Sequence, residues 1–455
     1  MFRLFNRLHE IKEIPVDVME ICEVLSNRGY QAYLVGGGVR DSLLGQTPGD
    51  WDIATDARPE DVAALFCKTV PTGIRYGTVT VIAKQLPVEV TTFRSESHYL
   101  DGRRPERVSF SKTIEEDLMR RDFTINAIAY EPLHGQFVDP FEGRKDLRRK
   151  LVRAVGEPEE RFREDALRML RFFRFLAVLG FRPHRRTLKA IQPGLIGNVS
   201  PERVQTELSK LLTAPAPGRI LILMKQTGLL EEILPELVEG LGVTQGTFHR
   251  YDVFTHSIKA LDYSLPRLDL RWAALLHDIA KPLTRSEDAD GIHFYRHEVE
   301  GEKLAEGILT RLRYSKKLVD KVALLVRWHM FSVHAASTDK ALRRFIRKVG
   351  KDNALDLVEV RRADILALGK QVEHSGWQNW QTLKERVAGI LCADAALNVT
   401  DLKINGMEVM GVLGISPGPK VGQALEWLLD QVVEEPGLND SEKLKSLLHS
   451  FSKKQ

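Results

Sequence analysis

The segment 33–55, YLVGGGVRDSLLGQTPGDWDIAT, constrains the fold more than any other part of this 455-residue chain. A short apolar strand signal runs into three glycines, and a helical segment is predicted over 39–44. A turn at 45–49 then leads into a second strand, predicted over 50–53. A strand, a glycine turn and a helix start form an arrangement in which backbone N–H groups can approach phosphates, because glycine has no Cβ in the way.

Two aspartates occupy the second strand. Because side chains alternate along a strand, Asp50 and Asp52 are expected on one face and Trp51 on the other. Adjacent carboxylates bind hard cations such as Mg²⁺, which also bind the triphosphate of a nucleotide. An ordinary turn followed by solvated aspartates is the alternative. The glycines and aspartates together, in this order, favour a metal–nucleotide site for nucleotidyl transfer.

Composition is that of a soluble globular protein, with 43% hydrophobic and 28% charged residues. The formal charge of +4 leaves room for a basic face, and basic clusters suit an anionic polymer, although isolated clusters are more often solvated surface. Three widely spaced cysteines form no metal-like pair, which suits a reducing compartment. No signal peptide and no long apolar run is evident, so we predict a cytoplasmic protein that does not enter a membrane. The cysteines are Cys22, Cys67 and Cys392.

Further candidate site residues follow the second strand. In a strand predicted over 88–93, Glu89 lies on a face that could point toward the two aspartates, with a surface position as the alternative. In the segment 120–127, RRDFTINA, an arginine–aspartate pair precedes Asn126 by one helical turn. These groups offer hydrogen bonds to phosphate and ribose, or else form a buried structural ion pair.

A helix predicted over 163–179 carries Asp165 and Arg168 on one face. A carboxylate accepts from an exocyclic amine and an arginine donates to a ring nitrogen. Cytosine and adenine match this pair, whereas guanine and uracil present the opposite pattern. The pair could therefore select CTP and ATP without a nucleic-acid template; the alternative is an ion-paired helix surface of little energetic weight.

A second constellation of ligand-type residues lies between positions 248 and 368. Histidine and aspartate on several helices could converge on one or two divalent ions, with Mn, Fe, Ni or Zn preferred over Mg. A metal-bound water would then supply a hydroxide nucleophile. Each histidine alone is more often a core or surface residue. The candidates are His256, which is expected just before an apolar helix, His277, Asp278, His297, His329 and Asp364.

The pattern G-G-x-V-R-D followed by G-D-x-D-[IL]-x-T resembles the signature of DNA polymerase beta-like nucleotidyltransferases, in particular class II tRNA CCA-adding enzymes and bacterial poly(A) polymerases. The resemblance implies that Asp50 and Asp52 are catalytic and hold two Mg²⁺ ions; Glu89, from its strand position, is the candidate for a third catalytic carboxylate. It implies that E-D-x-x-R, at 164–168, is the amino-acid template, in which Glu164 orients the arginine. The nucleotide-binding residues that it implies are Gly36, Gly37, Arg40, Arg121, Asp122, Asn126, Glu164, Asp165, Arg168 and Arg171.

The polar segment 94–120 resembles the family's mobile loop, in which Asp101 and Arg104 match the motif D-x-x-R. Relatives that add only CC typically lack this loop. The segment 139–147 matches the next family motif, which we interpret as structural. At Gly38 relatives often have alanine, a difference that we expect to be harmless.

The order H…HD…H…H…D resembles the HD phosphohydrolases, which implies hydrolysis of phosphomonoesters or 2′,3′-cyclic phosphates; a metal-free structural domain is the alternative. We predict an α+β fold with a small mixed-sheet head and an otherwise helical chain. The predicted parts are a catalytic head (1–150), a neck for nucleotide selection (151–213), a body with the HD site (214–370) and a tRNA-binding tail (371–455). In the tail, the segments 402–406 and 417–422 precede a helix start.

The predicted function is addition of CMP and AMP, from CTP and ATP, to the 3′ end of tRNA, contacted at its acceptor stem and elbow. Three alternatives remain: an A-adding specialist with a separate CC-adding partner, a poly(A) polymerase, and an HD phosphohydrolase with a non-catalytic RNA-binding head. The segment 72–81, TGIRYGTVTV, has the tRNA-type pattern and not the arginine-rich strand of poly(A) polymerases. A protein that only binds RNA is disfavoured by the intact carboxylates at both sites.

Overall fold

The structure is a computed structural model that describes residues 8, 11, 13–73, 77–84, 86–95, 109–246, 250–369, 374–393 and 396–452. The chain divides into two compact units, Met1–Ile233 and Leu234–Gln455. The first contains a mixed sheet and helices, and the second is helical apart from one hairpin. The predicted α+β class is confirmed, while the finer division into four parts stays a prediction.

The first unit is built on a seven-stranded sheet in the order β3-β4-β5-β2-β1-β8-β9. Strand β2 pairs antiparallel with β1 and parallel with β5, so the sheet is mixed. Strands β6 and β7 form a separate antiparallel pair, and β10 and β11 a parallel one. The strands are β1 Ala32–Val35, β2 Asp52–Thr55, β3 Thr69–Gly73, β4 Thr78–Ala83, β5 Leu86–Thr92, β6 Arg94–Ser95, β7 Ser109–Phe110, β8 Ala129–Glu131, β9 Gln136–Val138, β10 Leu151–Val152 and β11 Arg182–Pro183.

The register of β2 and β5 determines where the carboxylates lie. Asp52 is the lateral partner of Glu89, and side chains at paired positions of neighbouring strands point to the same face. The predicted strand over 50–53 is wrong at its start, because β2 begins at Asp52. Asp50 therefore lies in the preceding loop and not within the strand alternation.

Helices follow and surround this sheet. In α7 (Leu167–Leu179), apolar side chains at helical spacing are buried. The centroid of the Phe172 ring lies 5.9 Å from the centroid of the Phe123 ring. Short 3-10 helices occur at Thr124–Asn126 and Pro193–Asn198. The helices of this unit are α1 Val16–Asn27, α2 Gly37–Leu43, α3 Pro59–Leu65, α4 Ile114–Met119, α5 Gly143–Arg149, α6 Pro158–Glu164, α7 Leu167–Leu179, α8 Arg185–Lys189, α9 Pro201–Leu212, α10 Gly218–Gln226 and α11 Leu229–Ile233.

Two predicted segments differ in the structure. The helix predicted over 163–179 is interrupted, because Asp165 has extended backbone angles (φ −146°, ψ 103°) between α6 and α7. The segment predicted as a loop over 94–120 ends in the helix α4. Three acidic residues in its first turn stabilise this helix, because their negative charges lie at the positive end of the helix dipole. A polar sequence was therefore a poor guide to this short helix.

The second unit packs its helices around a core in which small side chains let helices approach closely. Ala260, Ala274, Ala363 and Ala367 form one such buried cluster. The elements are α12 Pro235–Val238, α13 Val253–Tyr263, α14 Leu268–Leu276, α15 Lys281–Thr284, β12 Arg285–Asp288, β13 Gly291–Phe294, α16 His297–Arg311, α17 Lys316–Trp328, α18 Asp339–Val349, α19 Lys351–Ala367, α20 His374–Cys392, α21 Gly406–Leu413, α22 Pro419–Glu434 and α23 Ser441–Ser452. Among the described residues, no helix is both long and apolar enough to cross a membrane.

Gly38 has a packing role that the sequence did not predict. A Cβ at this position would lie 3.0 Å from the backbone oxygen of Asp50 and 3.0 Å from Cε3 of the buried Trp51. Such contacts are closer than ordinary van der Waals distance, so the loop that carries Asp50 would have to move. These contacts argue against the expectation that alanine is harmless here, and we expect it to destabilise this chain instead.

We predict that Gly38→Ala lowers the free energy of unfolding by about 1 kcal/mol, because the added methyl group overpacks the Trp51 ring. Chemical denaturation measures the change. Gly49→Ala is the matched control, since a Cβ there meets nothing within 4 Å. Equal stabilities of the two variants would contradict the packing role of Gly38.

Candidate functional site

A polar cleft of about 510 Å³ opens in the first unit beside the carboxylates of the sheet. Arginines predominate in its lining, and aspartates complete it, so the cleft suits a ligand that is both anionic and metal-bound. It is lined by Gly36, Gly37, Arg40, Asp50, Asp52, Arg120, Arg121, Asp122, Asn126, Asp165, Leu167, Arg168, Arg171, Arg174, Phe175 and Arg203.

Gly36 connects β1 to α2 at the edge of this cleft. Its φ of 75° lies in the left-handed region, which glycine adopts without steric cost. A Cβ here would lie 3.2 Å from both Arg121 Nη1 and Asp52 Oδ2. Because Gly36 has no side chain, the Arg121 guanidinium and the Asp52 carboxylate can both lie close to its backbone.

The carboxylates of the cleft repel one another. Burial, followed by the charge of Asp50 and a smaller contribution from Glu89, raises the pKa of Asp52 to about 6, although Arg121 opposes the change. Asp50 and Glu89 themselves are exposed. Oxygen donors with excess negative charge fit a hard divalent cation, which would relieve this repulsion.

Asp122 is the buried centre of an ion-pair network. Its Oδ2 accepts from Arg171 Nε at 2.8 Å, and its Oδ1 accepts from Asn126 Nδ2 at 2.9 Å. Burial opposes the charge, but Arg171 and these hydrogen bonds lower the pKa of Asp122 to about 2. Arg40 Nη1 donates to Asn126 Oδ1 at 2.7 Å. Both arginines are thus held in place by acceptors that the protein supplies.

The residues predicted to select the base are positioned by different partners. Arg168 Nη1 donates to Glu164 Oε2 at 2.5 Å, and its Nη2 donates to the Arg120 backbone oxygen at 2.9 Å. Asp165 Oδ2 accepts from Arg203 Nη2 at 2.7 Å. Asp165 and Arg168 line the same cleft, but the break before α7, and not a shared helix face, brings them there.

Sequence reasoning missed two buried carboxylates that hold the arginines of the cleft. Asp117 of α4 is fully buried and pairs with Arg120 at 2.6 Å and with Arg121 at 3.0 Å, just beyond the end of that helix. Spacings of three and four residues are those that a helix prediction relates. Glu207 of α9 pairs with Arg174 and Arg171, which are distant in sequence and gave no local signal. The loop residues Asp101 and Arg104 lie outside the described residues.

Six ligand-type side chains meet inside the second unit. Asp278 lies at their centre: its Oδ2 is 3.1 Å from His277 Nε2 and its Oδ1 is 3.4 Å from His297 Nε2. Two groups of three residues, which share Asp278, could each hold a metal ion. Asp364 Oδ1 is 3.2 Å from His256 Nε2. His256 lies in α13, which precedes the apolar helix α14. The two groups are His256, His277 and Asp278, and Asp278, His297 and His329.

The four histidines share one orientation. Each places Nδ1 against a backbone carbonyl, at 2.7 to 3.3 Å. Because a carbonyl only accepts, Nδ1 carries the proton and the Nε2 lone pair points into the cluster, as metal ligands require. The carbonyls belong to Ala367, Ala274, Phe294 and Val326, for His256, His277, His297 and His329 respectively.

The charges of the cluster are strongly coupled. Burial, together with the nearby His277, lowers the pKa of His329 to about 3, so this imidazole stays neutral. Asp278 is buried, but His277 and Lys281 hold its pKa well below the usual range. Lys281 Nζ lies 2.7 Å from Asp278 Oδ2. Although burial opposes this change, Asp278 in turn raises the pKa of His277. An ionised aspartate beside imidazoles fits a divalent transition metal, whose charge would replace that of a protonated His277.

Three family models match the chain, and their descriptions agree with this anatomy. The model "Poly A polymerase head domain" matches residues 32–153, "Probable RNA and SrmB- binding site of polymerase A" matches 180–241, and "HD domain" matches 249–369. The first unit therefore contains a polymerase-type nucleotidyltransferase head, as the glycines and aspartates of its cleft predicted.

Relatives that align with nearly the whole chain identify the family within this class of nucleotidyltransferases. The CCA-adding enzyme of Geobacillus thermodenitrificans is 36% identical over 441 residues, 96% of each chain. The chain belongs to the CCA-adding enzyme family, and the resemblance predicted from its motifs is confirmed. The crystal structure of the Bacillus stearothermophilus CCA-adding enzyme in complex with CTP matches with a TM-score of 0.73 at 30% identity, over 97% of this chain and 99% of that one. The Thermotoga maritima CCA-adding enzyme complexed with tRNA shares the fold, with a TM-score of 0.58 at 19% identity over 98% and 99% of the two chains.

We predict that Asp52→Asn stabilises the protein in EDTA at pH 8. A carboxyl whose pKa is raised from 3.8 to about 6 by folding binds its proton more tightly in the folded state, so stability is lost as pH rises through this interval. Removing the charge should therefore recover roughly 1 kcal/mol, after allowance for solvent screening. Thermal unfolding measures the change.

Addition of Mg²⁺ provides the control for this variant. Mg²⁺ should raise the melting temperature of the wild-type protein and have a much smaller effect on Asp52→Asn, because one ligand is gone. A variant that melts below the wild-type protein in EDTA would contradict the proposed repulsion among the carboxylates.

Proposed function

We propose that this protein adds CMP and AMP to the 3′ end of tRNA without a nucleic-acid template, with Asp50, Asp52 and Glu89 as catalytic carboxylates. The observation that carries the proposal is the cleft in which Asp50 and Asp52 face an arginine-rich wall containing Asp165 and Arg168. Glu89 is the lateral partner of Asp52 in the sheet. Similarity over nearly the whole chain to enzymes named for CCA addition favours this function over the A-adding and poly(A) alternatives. A tRNA substrate agrees with the cytoplasmic location predicted from the sequence.

The carboxylates would hold two Mg²⁺ ions, which when bound lower the pKa of the tRNA 3′-hydroxyl and neutralise charge on the triphosphate and leaving pyrophosphate. Arg121 and Arg171 line the same cleft and carry the positive charge that a triphosphate needs. Because Asp117 and Asp122 hold these guanidinium groups, little reorganisation is required when the nucleotide enters. Arg40 and Asn126, joined by a hydrogen bond, are placed to contact ribose or phosphate.

Base selection would rest on Asp165 and Arg168. Asp165 is an acceptor only, and its pairing with Arg203 leaves further lone pairs for an exocyclic amine. An arginine has five N–H donors, and Glu164 and two backbone oxygens receive three of those of Arg168. The remaining donors suit the ring nitrogen of cytosine or adenine. Guanine and uracil would present N–H groups to the arginine and carbonyls to the aspartate, which disfavours GTP and UTP.

A second function, metal-dependent phosphohydrolysis, is favoured by the orientation of the four histidines in the second unit. Their Nε2 atoms converge with Asp278 and Asp364 on one buried cluster, which suits Mn, Fe, Ni or Zn. A bound metal supplies a hydroxide nucleophile at neutral pH. Asp278 would hold two ions at once through its two oxygens, and Lys281 would position that carboxylate. The expected substrates are phosphomonoesters and 2′,3′-cyclic phosphates, as at damaged tRNA ends.

The primary function is tested with two labelled tRNAs, one ending at the discriminator base and one ending in CC, each given Mg²⁺ with CTP, ATP or both. We expect three nucleotides on the first tRNA when both triphosphates are present. Extension of only the CC-ended tRNA would instead identify an A-adding enzyme. Asp52→Ala should abolish all addition because it removes a metal ligand, and near-normal turnover by this variant would contradict the assignment.

The same assay tests base selection. Asp165→Asn introduces an amide donor opposite the exocyclic group, so we expect CTP and ATP incorporation to fall about tenfold relative to UTP and GTP. Glu202→Gln is a control on α9, since it changes a neighbouring exposed carboxylate next to Arg203. Unchanged discrimination in Asp165→Asn would contradict the proposed role of Asp165.

For the second function, we predict that His277→Ala abolishes hydrolysis of 2′,3′-cyclic AMP in the presence of Mn²⁺ or Ni²⁺ and leaves tRNA addition intact. His449→Ala, which changes an exposed histidine of α23, is the control. Absence of tRNA addition in the wild-type protein, together with hydrolysis that survives Asp52→Ala and is lost in His277→Ala, would favour the phosphohydrolase with a non-catalytic head.

A further inference from the structure

Three arginines of the cleft in the first unit lie over one aromatic ring, that of Phe175. The guanidinium carbon is 5.2 Å from the ring centroid for Arg40, 5.7 Å for Arg171 and 3.9 Å for Arg174. A cation within about 6 Å of a ring centroid is attracted by the negative face of the ring. Phe175 is therefore a shared contact of three groups that carry the same charge.

The Phe175 ring joins parts of the chain that are distant in sequence. Arg40 lies on α2, whereas Arg171 and Arg174 lie on α7 together with Phe175. The Phe175 side chain is buried, and the Phe123 ring packs against it edge to face, with centroids 5.6 Å apart and planes inclined by 79°. Because the ring is fixed in this way, it can hold the guanidinium group of α2 beside those of α7.

Each of these guanidinium groups also pairs with a carboxylate, but the two kinds of contact differ in their effect. A carboxylate holds a cation and cancels its charge, whereas an aromatic ring holds a cation and carries no net charge. The ring therefore helps to position the arginines without lowering their attraction for an anion. The pairs are Arg40 with Asp41, Arg171 with Asp122, and Arg174 with Glu207.

The environment of Arg174 shows that the three positive charges act on one another. Burial lowers the pKa of its guanidinium group, Glu207 opposes this change, and the charges of Arg171 and Arg40 add to it. Like charges held this close together repel one another in the empty cleft. A ligand with several negative charges would relieve this repulsion, so the arrangement favours a polyanion.

The distances around the glycine turn place this group beside the metal-binding carboxylates. A Cβ at Gly36 would lie 3.2 Å from Asp52 Oδ2, and a Cβ at the next residue, Gly37, would lie 3.7 Å from Arg40 Nη2. The Asp52 carboxylate and the Arg40 guanidinium group thus flank the same turn, and both line the cleft that Phe175 also lines. One magnesium-bound triphosphate in this cleft can therefore contact the aspartates and the arginines together.

We propose that Phe175 is a positioning residue for triphosphate binding, whose ring holds Arg40, Arg171 and Arg174 as one anion-binding group. The inference rests on the nucleotidyl transfer proposed above. Phe175 acts through the arginines and need not touch the substrate. Because the group recognises phosphate and not a base, it serves ATP and CTP alike.

The test measures addition of AMP by the full-length protein to a CC-ended tRNA in Mg²⁺. Phe175→Leu removes the ring and keeps an apolar side chain, so KM for ATP should rise about tenfold, because three cation–ring contacts are lost. The kcat should remain nearly unchanged, and the preference for ATP and CTP over UTP and GTP should persist. Phe175→Tyr, which keeps the ring, should have the wild-type KM.

Phe172→Leu is the matched control, because Phe172 is a buried phenylalanine of the same helix that also packs against Phe123. Phe172 is not one of the residues that line the cleft, so this variant should keep the wild-type KM. A similar rise in KM in both leucine variants would overturn the proposal, since it would indicate a general packing role. An unchanged KM in Phe175→Leu, or a Phe175→Tyr protein as impaired as Phe175→Leu, would overturn it as well.

Calorimetric binding of tripolyphosphate in Mg²⁺ separates this inference from the proposed function, because the probe has no base and requires no catalysis. If the wild-type protein adds no nucleotide but binds tripolyphosphate about tenfold more tightly than Phe175→Leu does, the function is wrong and the positioning role is supported. Equal affinities of these two proteins, or no binding by the wild-type protein, overturn the positioning role.

A second variant keeps the inference testable if Phe175→Leu does not fold. Arg174→Gln retains the ring and removes one of the charges that the ring holds, so it should also weaken tripolyphosphate binding. An unchanged affinity in Arg174→Gln would contradict a shared anion-binding group on Phe175.

Discussion

The ion pair between the buried Asp122 and Arg171 joins the nucleotidyltransferase head to α7, the helix that carries Arg168. Asp122 lies just before the 3-10 helix that follows α4, whereas Arg171 lies on α7 and also faces Glu207 of α9. Removal of one partner from a buried pair leaves an uncompensated charge that costs about 3–5 kcal/mol. The position of Arg171 relative to the carboxylates of the sheet therefore depends on this contact.

Local motifs were predictable because their geometry depends on neighbours in sequence. The glycine turn at Gly36, the acidic residues at 50–52 and the strand containing Glu89 all follow from short-range patterning, although β2 begins two residues later than predicted. The break at Asp165 was not predictable, since helix propensity continues across it and tertiary contacts override it. Glu207 was missed for a related reason: its partners on α7 become neighbours only after folding.

The metal cluster shows the same division between ligand identity and ligand geometry. The order of histidines and aspartates along the chain predicted a ligand set that could converge on one or two ions, but not which atoms would face one another. Nor does sequence reveal the proton positions. Those depend on backbone carbonyls such as that of Ala367, which lies on α19 and orients His256 on α13. Helix packing thus orients His256, whereas His277, His297 and His329 are each oriented by the carbonyl three residues earlier in the chain.

The close contact between Gly38 and Trp51 limits the order in which the two positions can change during evolution. With tryptophan at 51, alanine at 38 displaces the loop that carries Asp50, so that step would be selected against even though it alters no catalytic group. A smaller residue at 51 would first have to open space, at the expense of a buried ring. Relatives with alanine at 38 are therefore expected to carry smaller side chains at 51. The residues at these two positions, which lie in neighbouring motifs, should vary together.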